Sequence, residues 1–64
     1  MSKVFKLVIN CDNAAFEDDP VAEIKEILKK AMQTLEREPD NPCYRTMFDS
    51  NGNDVGRFRL KDER

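Results

Sequence analysis

Sixty-four residues carrying 11 basic and 13 acidic side chains, for a net charge of −2, make one small domain (residues 1–64) whose chain hides only about 60% of its unfolded surface. A core that thin leaves no room for a buried substrate cleft, and the charge balance excludes the global cationic field that drives non-specific nucleic-acid binding, so a nucleic-acid role needs a local patch. The chain has no His, no long apolar leader and no apolar run of membrane-spanning length, so a cytoplasmic protein with no membrane partner is expected.

Residues 3–11, KVFKLVINC, are rich in β-branched and aromatic residues and predict a strand. Phe5, Leu7, Ile9 and Cys11 fall on one face, and Val4, Lys6, Val8 and Asn10 form a half-polar row on the other. Residues 12–18, DNAAFED, break this alternation and form a loop that Phe16 is expected to pin to the core.

The next stretch, residues 19–37, has the clearest periodicity in the chain. Val21, Ile24, Ile27, Leu28, Ala31, Met32 and Leu35 recur at intervals of three and four and predict a helix with one apolar stripe, roughly 27 Å long. Asp19 suits the N-cap and Pro20 the first helical position, while Asp18 and Glu17 place negative charge at the positive end of the dipole. Pro39 biases Glu38 out of helical geometry and stops the helix near Arg37.

Residues 43–60 contain two strand-like runs around Asn51-Gly52, a strong hairpin signal. Two registers are open. A two-residue Asn51-Gly52 turn sends Phe48 outward beside Val55, Arg57 and Arg59, and turns Met47, Phe58 and Leu60 toward the helix together with Arg45. A Ser50-Asn51 turn with Gly52 as a left-handed bulge instead puts Tyr44, Phe48, Phe58 and Leu60 inside and Arg45, Arg57 and Arg59 outside. The second is preferred, because burying a lone arginine is costly. Phe58 and Leu60 point in, and Arg57 and Arg59 out, in both.

These elements assemble as an α+β fold, β-α-β-β, with a three-stranded antiparallel sheet in the order 1-3-2 and one helix packed on one face. Cys11 and Cys43 match no metal or redox spacing, should lie roughly 25 Å apart, and are read as small buried hydrophobes. Asp12, Glu17, Asp18, Asp19 and Glu23 lack the alternating ligand pattern of a calcium loop, so no metal and no cofactor is expected.

The segment CDNAAFEDDP, followed by an amphipathic helix and then D-x-NGN-x-VG, resembles a group of short uncharacterised proteins from phages, prophages and other mobile elements. Asn10 to Pro20 and Asp49, Asn51, Gly52, Asn53, Val55 and Gly56 carry the resemblance. It implies the cytoplasm of a bacterial host and a compact αβ fold, and it implies no mechanism.

With no His and no base beside either cysteine, and with Asp49 and Asp54 reading as turn formers, the chain is expected to be a non-enzyme with no catalytic residues. The leading functional expectation is a phage-type protein-binding module that inhibits or modulates host machinery, for example an anti-CRISPR or other anti-defence factor. Its candidate contact face is Lys6, Val8, Arg45, Met47, Val55, Arg57 and Arg59, with Val4 beside them; its candidate acidic surface is Asp12, Glu17, Asp18, Asp19 and Glu23. One alternative is single-stranded nucleic-acid binding through a basic face that includes Lys3, Lys6, Arg45, Arg57, Arg59 and Lys61; it gains if Tyr44 and Phe48 join that face. The other is a self-associating structural protein, a homodimer through the sheet or an edge.

Overall fold

Five elements follow one another along the chain: β1 (Ser2–Ile9), a 3-10 turn (Ala14–Phe16), α1 (Pro20–Arg37), β2 (Arg45–Phe48) and β3 (Asp54–Glu63). They are seen in a computed structural model that describes residues 2–63. The sheet order is β1-β3-β2 and both pairings are antiparallel, so the fold is α+β with the predicted strand order.

The helix forms where its signals are. Asp19 accepts the Ala22 N–H on its side chain, Pro20 occupies the first turn, and the last turn closes with the Glu38 N–H donating to the Thr34 carbonyl. Beyond it, Asn41 turns the chain by accepting the Cys43 N–H on its own side chain. The buried stripe is narrower than predicted. Ile27 and Ala31 are buried and Ile24 packs beside them, but Val21, Leu28 and Met32 are 65%, 38% and 59% exposed. A helix about 10 Å across covers about two strands set about 4.8 Å apart, and α1 lies mainly against β2 and the 3-10 turn. The third strand is left partly uncovered, and Phe5, on the inner face of β1, is 47% exposed.

The core is Phe16, Ile27, Ala31, Met47, Val55 and Phe58, with Leu7, Ile9, Ala15 and Ile24 at its margin. Phe16 does pin the loop before the helix. The radius of gyration is 12.6 Å, against about 10.7 Å for a compact chain of this length. The molecule is elongated, 41 × 21 × 17 Å along its principal axes.

The hairpin corrects the preferred register in an instructive way. Its turn is the predicted one: the Gly52 N–H donates to the Asp49 carbonyl around Ser50 and Asn51, and Gly52 has φ +82°, in the left-handed region. That turn pairs Phe48 with Asp54, but the next pair is Met47 with Gly56 and then Arg45 with Phe58. One extra residue, Val55, is taken up as a bulge, and from there on every β2 side chain changes face relative to β3. Met47 and Val55 therefore enter the core and Arg45 points to the helix side, while Tyr44 and Phe48 are exposed, 46% and 52%. The anticipated cost of turning Arg45 inward is offset by Glu38, just past the helix end, which forms an ion pair with it.

Gly56 makes the bulge possible. A Cβ there would lie 1.9 Å from the Val8 carbonyl oxygen, so only glycine lets β1 approach. Beyond this point β1 makes one more bond, from the Asn10 N–H to the Val55 carbonyl at 2.6 Å, and the Asn10 side chain then accepts the Asp12 N–H. The strand consequently ends at Ile9 and not at Cys11. Both cysteines lie in loops outside the sheet faces and are exposed free thiols, which corrects the expectation that they are buried.

Candidate functional site

Side-chain alternation places two surfaces in view: the sheet face turned away from α1, and the end of the molecule where the acidic loop, the start of α1 and the hairpin tip meet. On the open face, β3 contributes Arg57, Arg59 and Lys61 in one row. The register sets Val8 opposite Arg57, Lys6 opposite Arg59 and Val4 opposite Lys61 on β1, and Thr46 opposite Arg57 on β2. Neither β1 nor the span from Val55 to Lys61 contains a carboxylate, so the middle of this face is uniformly basic.

Tyr44 lies among these cations. Its ring centroid is 4.4 Å from the Arg59 guanidinium carbon and 5.4 Å from that of Arg57, so both arginines are held over the same ring. Phe48 is exposed at the β2 edge, and Val8 is 67% exposed on the β1 side.

Of the predicted contact residues, Lys6, Val8, Arg57 and Arg59 are on this open face. Three are not. Arg45 is on the helix side, paired with Glu38, and Met47 and Val55 are 4% and 3% exposed in the core. The cause in each case is the Val55 bulge, which exchanges the faces of β2. Tyr44, Phe48 and Lys61, absent from the predicted contact set, belong to the face. The available signal was Gly56: a glycine inside a strand pattern marks a bulge or a close backbone approach.

The acidic end is built differently. Residues 10–24 and 46–56 contain no Lys or Arg, and they converge here. Asp12, Glu17 and Asp18 are exposed, whereas Asp19 caps the helix. Glu23 accepts the Ser50 N–H at 2.7 Å and the Ser50 hydroxyl at 3.2 Å, tying α1 to the hairpin tip. Asp49, 4% exposed, is the centre of the knot. One of its oxygens accepts the Asn51 and Asn53 N–H groups, both at 2.9 Å, and the other accepts the Asn13 side-chain amide at 3.0 Å. The backbone bond from Asn53 is the largest influence holding its carboxyl below the ordinary value of 3.8; burial opposes it, and the bonds from Asn13 and Asn51 reinforce it. The predicted role of Asp49 as a turn former is realised, and it extends to clamping the loop before the helix.

Among the described residues no helix is long and apolar enough to cross a membrane. Compared with known proteins, the chain matches no family model, no curated protein and no solved structure.

Proposed function

We propose that this chain is a non-catalytic binding module whose open sheet face takes a polyanion, single-stranded nucleic acid in the first place. The observation that carries the reading is Tyr44 held beneath the guanidinium groups of Arg57 and Arg59 on a face that α1 does not cover. Sequence-tolerant single-strand binders combine cations that track phosphates with aromatic side chains that stack on bases. Lys6, Arg57, Arg59 and Lys61 supply the first, Tyr44 and Phe48 the second. The net charge of −2 does not oppose this, because no carboxylate occurs in β1, in β2 or between Val55 and Lys61 of β3.

Titration of a fluorescently labelled oligothymidylate at low and at physiological salt tests the reading. Binding that weakens steeply with salt, and that is lost in Arg57→Ala/Arg59→Ala, supports it. Absence of binding at low salt overturns it.

A second reading, contact with a host protein by a phage-type modulator of host machinery, rests on a different surface. Val21, Leu28 and Met32 recur along one flank of α1, and they and Phe5 on the uncovered strand are exposed apolar groups of the kind that mark protein contacts. Tyr and Arg are also common interface anchors, so the open face fits a protein partner with an acidic surface as well. Affinity capture from bacterial lysate tests this: loss of a captured partner on Leu28→Lys/Met32→Lys assigns the helix flank, and its loss on Arg57→Ala/Arg59→Ala assigns the open face. No captured partner removes the reading.

A further inference from the structure

We infer that the strand of nucleic acid lies along β3, with successive phosphates at Arg57, Arg59 and Lys61 and the bases turned toward β2, and that the site is short, about three to four nucleotides. The inference rests on the polyanion reading above and adds the path, length and chemistry of the ligand.

The path follows from spacing. Alternate residues on a strand are about 6.7 Å apart, so three cations on one side of β3 form a straight row about 13 Å long. That pitch suits an extended, unstacked single strand, one phosphate per cation. A duplex, with about 3.4 Å of rise per nucleotide on each strand, would leave every second phosphate between cations. The two sides of the row differ. On the β2 side lie Tyr44 and Phe48, four residues and roughly 13 Å apart, with Thr46 between them; on the β1 side lie Val8, Lys6 and Val4. Only the β2 side offers rings for bases.

The length follows from what brackets the row. β3 begins with Asp54, next to the hairpin tip and the acidic end, and its sequence becomes acidic again at Asp62 and Glu63 immediately after Lys61. A phosphate placed beyond Arg57 in one direction approaches Asp54 and the Asp49 knot; in the other direction the row of cations ends at Lys61, since the next residue, Asp62, pairs with Lys3 on the helix side of the sheet. Like-charge repulsion at the Asp54 end and the end of the cation row at Lys61 confine the favourable positions to these three. Because Arg57 and Arg59 are already ordered over Tyr44, less side-chain freedom is lost when a phosphate arrives, and the two arginines should act as a unit.

The experiment is a length and salt series measured by fluorescence anisotropy on the full chain, with circular dichroism confirming that each variant is folded. Labelled oligothymidylates from about two to about ten nucleotides should gain affinity steeply up to about four and then only by the statistical factor of extra sites. The slope of log K against log salt should be about −2, three contacts at about 0.7 each for a single strand. Lys61→Ala should flatten that slope by about 0.7, whereas Phe48→Ala should leave the slope unchanged and weaken binding on the order of tenfold. Inorganic polyphosphate, which has the charges but no bases, should compete weakly and without regard to Phe48; a duplex of equal length should bind more weakly than the single strand.

Affinity that keeps rising steeply to ten nucleotides, or a salt slope that Lys61→Ala does not change, overturns the β3 path while leaving polyanion binding in place. Equal binding of polyphosphate and oligothymidylate overturns the role of the bases alone. No binding of any oligonucleotide at low salt overturns the polyanion reading itself, and with it this one.

Discussion

The acidic end and the open sheet face both read, in one dimension, as clusters of charge awaiting a partner, and folding treats them in opposite ways. At the acidic end Asp19, Glu23 and Asp49 are engaged by backbone and side-chain donors from the helix, the hairpin tip and the loop before the helix. These carboxylates hold the fold together. On the open face the arginines are stacked on Tyr44 and presented outward, and no helix lies above them. Charge density alone therefore does not indicate a site; what distinguishes the two regions is that Asp19, Glu23 and Asp49 accept hydrogen bonds that join the helix, the hairpin tip and the loop before the helix, whereas Arg57 and Arg59 are held over a ring on the face turned away from α1.

The largest way to break this contrast is at Gly56, where the two regions meet. Gly56→Ala places a methyl carbon 1.9 Å from the Val8 carbonyl oxygen, a backbone atom that cannot swing aside. Either β1 separates from β3 or the bulge is lost, which would send Val55 and Met47 out of the core. A loss of about 3 kcal/mol or more is expected, enough to unfold much of so small a domain, and urea denaturation followed by circular dichroism measures it. Gly52→Ala provides the internal scale: the added Cβ meets open space, so only the cost of φ +82° for a residue with a side chain, about 1–2 kcal/mol, is expected.

Next in size is the knot itself. Asp49→Ala leaves the Asn51, Asn53 and Asn13 donors without their acceptor and should lower the melting temperature more than the neutralisation of exposed Asp18 by Asp18→Asn. The pH dependence has a definite sign. Because hydrogen bonds hold the Asp49 carboxyl below its ordinary 3.8, its ionised form stabilises the fold above that value, and the stabilisation is lost as pH falls from there through the lowered folded-state value. Melting temperature measured between neutral pH and pH 2 should drop in the acid range for the native chain. If Asp49→Asn shows an acid drop of the same size, the knot does not depend on this carboxylate.

How far the sequence revealed this contrast can be followed residue by residue. The helix was legible in boundaries, cap and direction because Asp19, Pro20 and Pro39 act locally and the apolar repeat runs for several turns. The strand order followed from chain connectivity, and the Asp49–Gly52 turn from its own residues. The face of β2 was not legible. A single unpaired residue, Val55, exchanges inside for outside along the whole strand, and its placement depends on β1 approaching Gly56, a contact between residues far apart in the chain. Arg45 made the error look reasonable, since no pattern within its own strand shows that Glu38 will meet it. Cys11 failed for a related reason: the alternation was extended past the last paired residue, and a position beyond the sheet has no inner face; Cys43 was read as buried only from the general burial of free cysteines, and it lies in the loop before β2.

A smaller effect sharpens the contrast from the other side. Arg57→Ala/Arg59→Ala removes two charges and the packing on Tyr44, which at an exposed site costs about 0.5–1 kcal/mol for each stacked cation. The fold should survive and polyanion binding should not. Loss of folding comparable to that of Gly56→Ala would mean that this face is structural and would erase the distinction from the acidic end.

The smallest expected effect concerns Arg45, which separates the two hairpin registers experimentally. In the structure it lies on the helix side at the C-terminal end of α1, its charge answered by Glu38, and its neighbours across β3 are Phe58 and the core. A partly exposed pair of this kind contributes about 0–1 kcal/mol, and an apolar chain of similar length can replace it without loss because the desolvation of the guanidinium is removed together with the attraction. Arg45→Met should therefore change stability by less than about 1 kcal/mol, in either direction, and leave the salt dependence of polyanion binding unaltered. Had the Ser50-Asn51 turn continued into β3 without the extra residue Val55, Arg45 would stand in line with Arg57 and Arg59, and the same substitution would flatten the salt slope by about one phosphate contact, near 0.7 for a single strand. One titration of one variant thus reports which way β2 faces, through binding and not through stability.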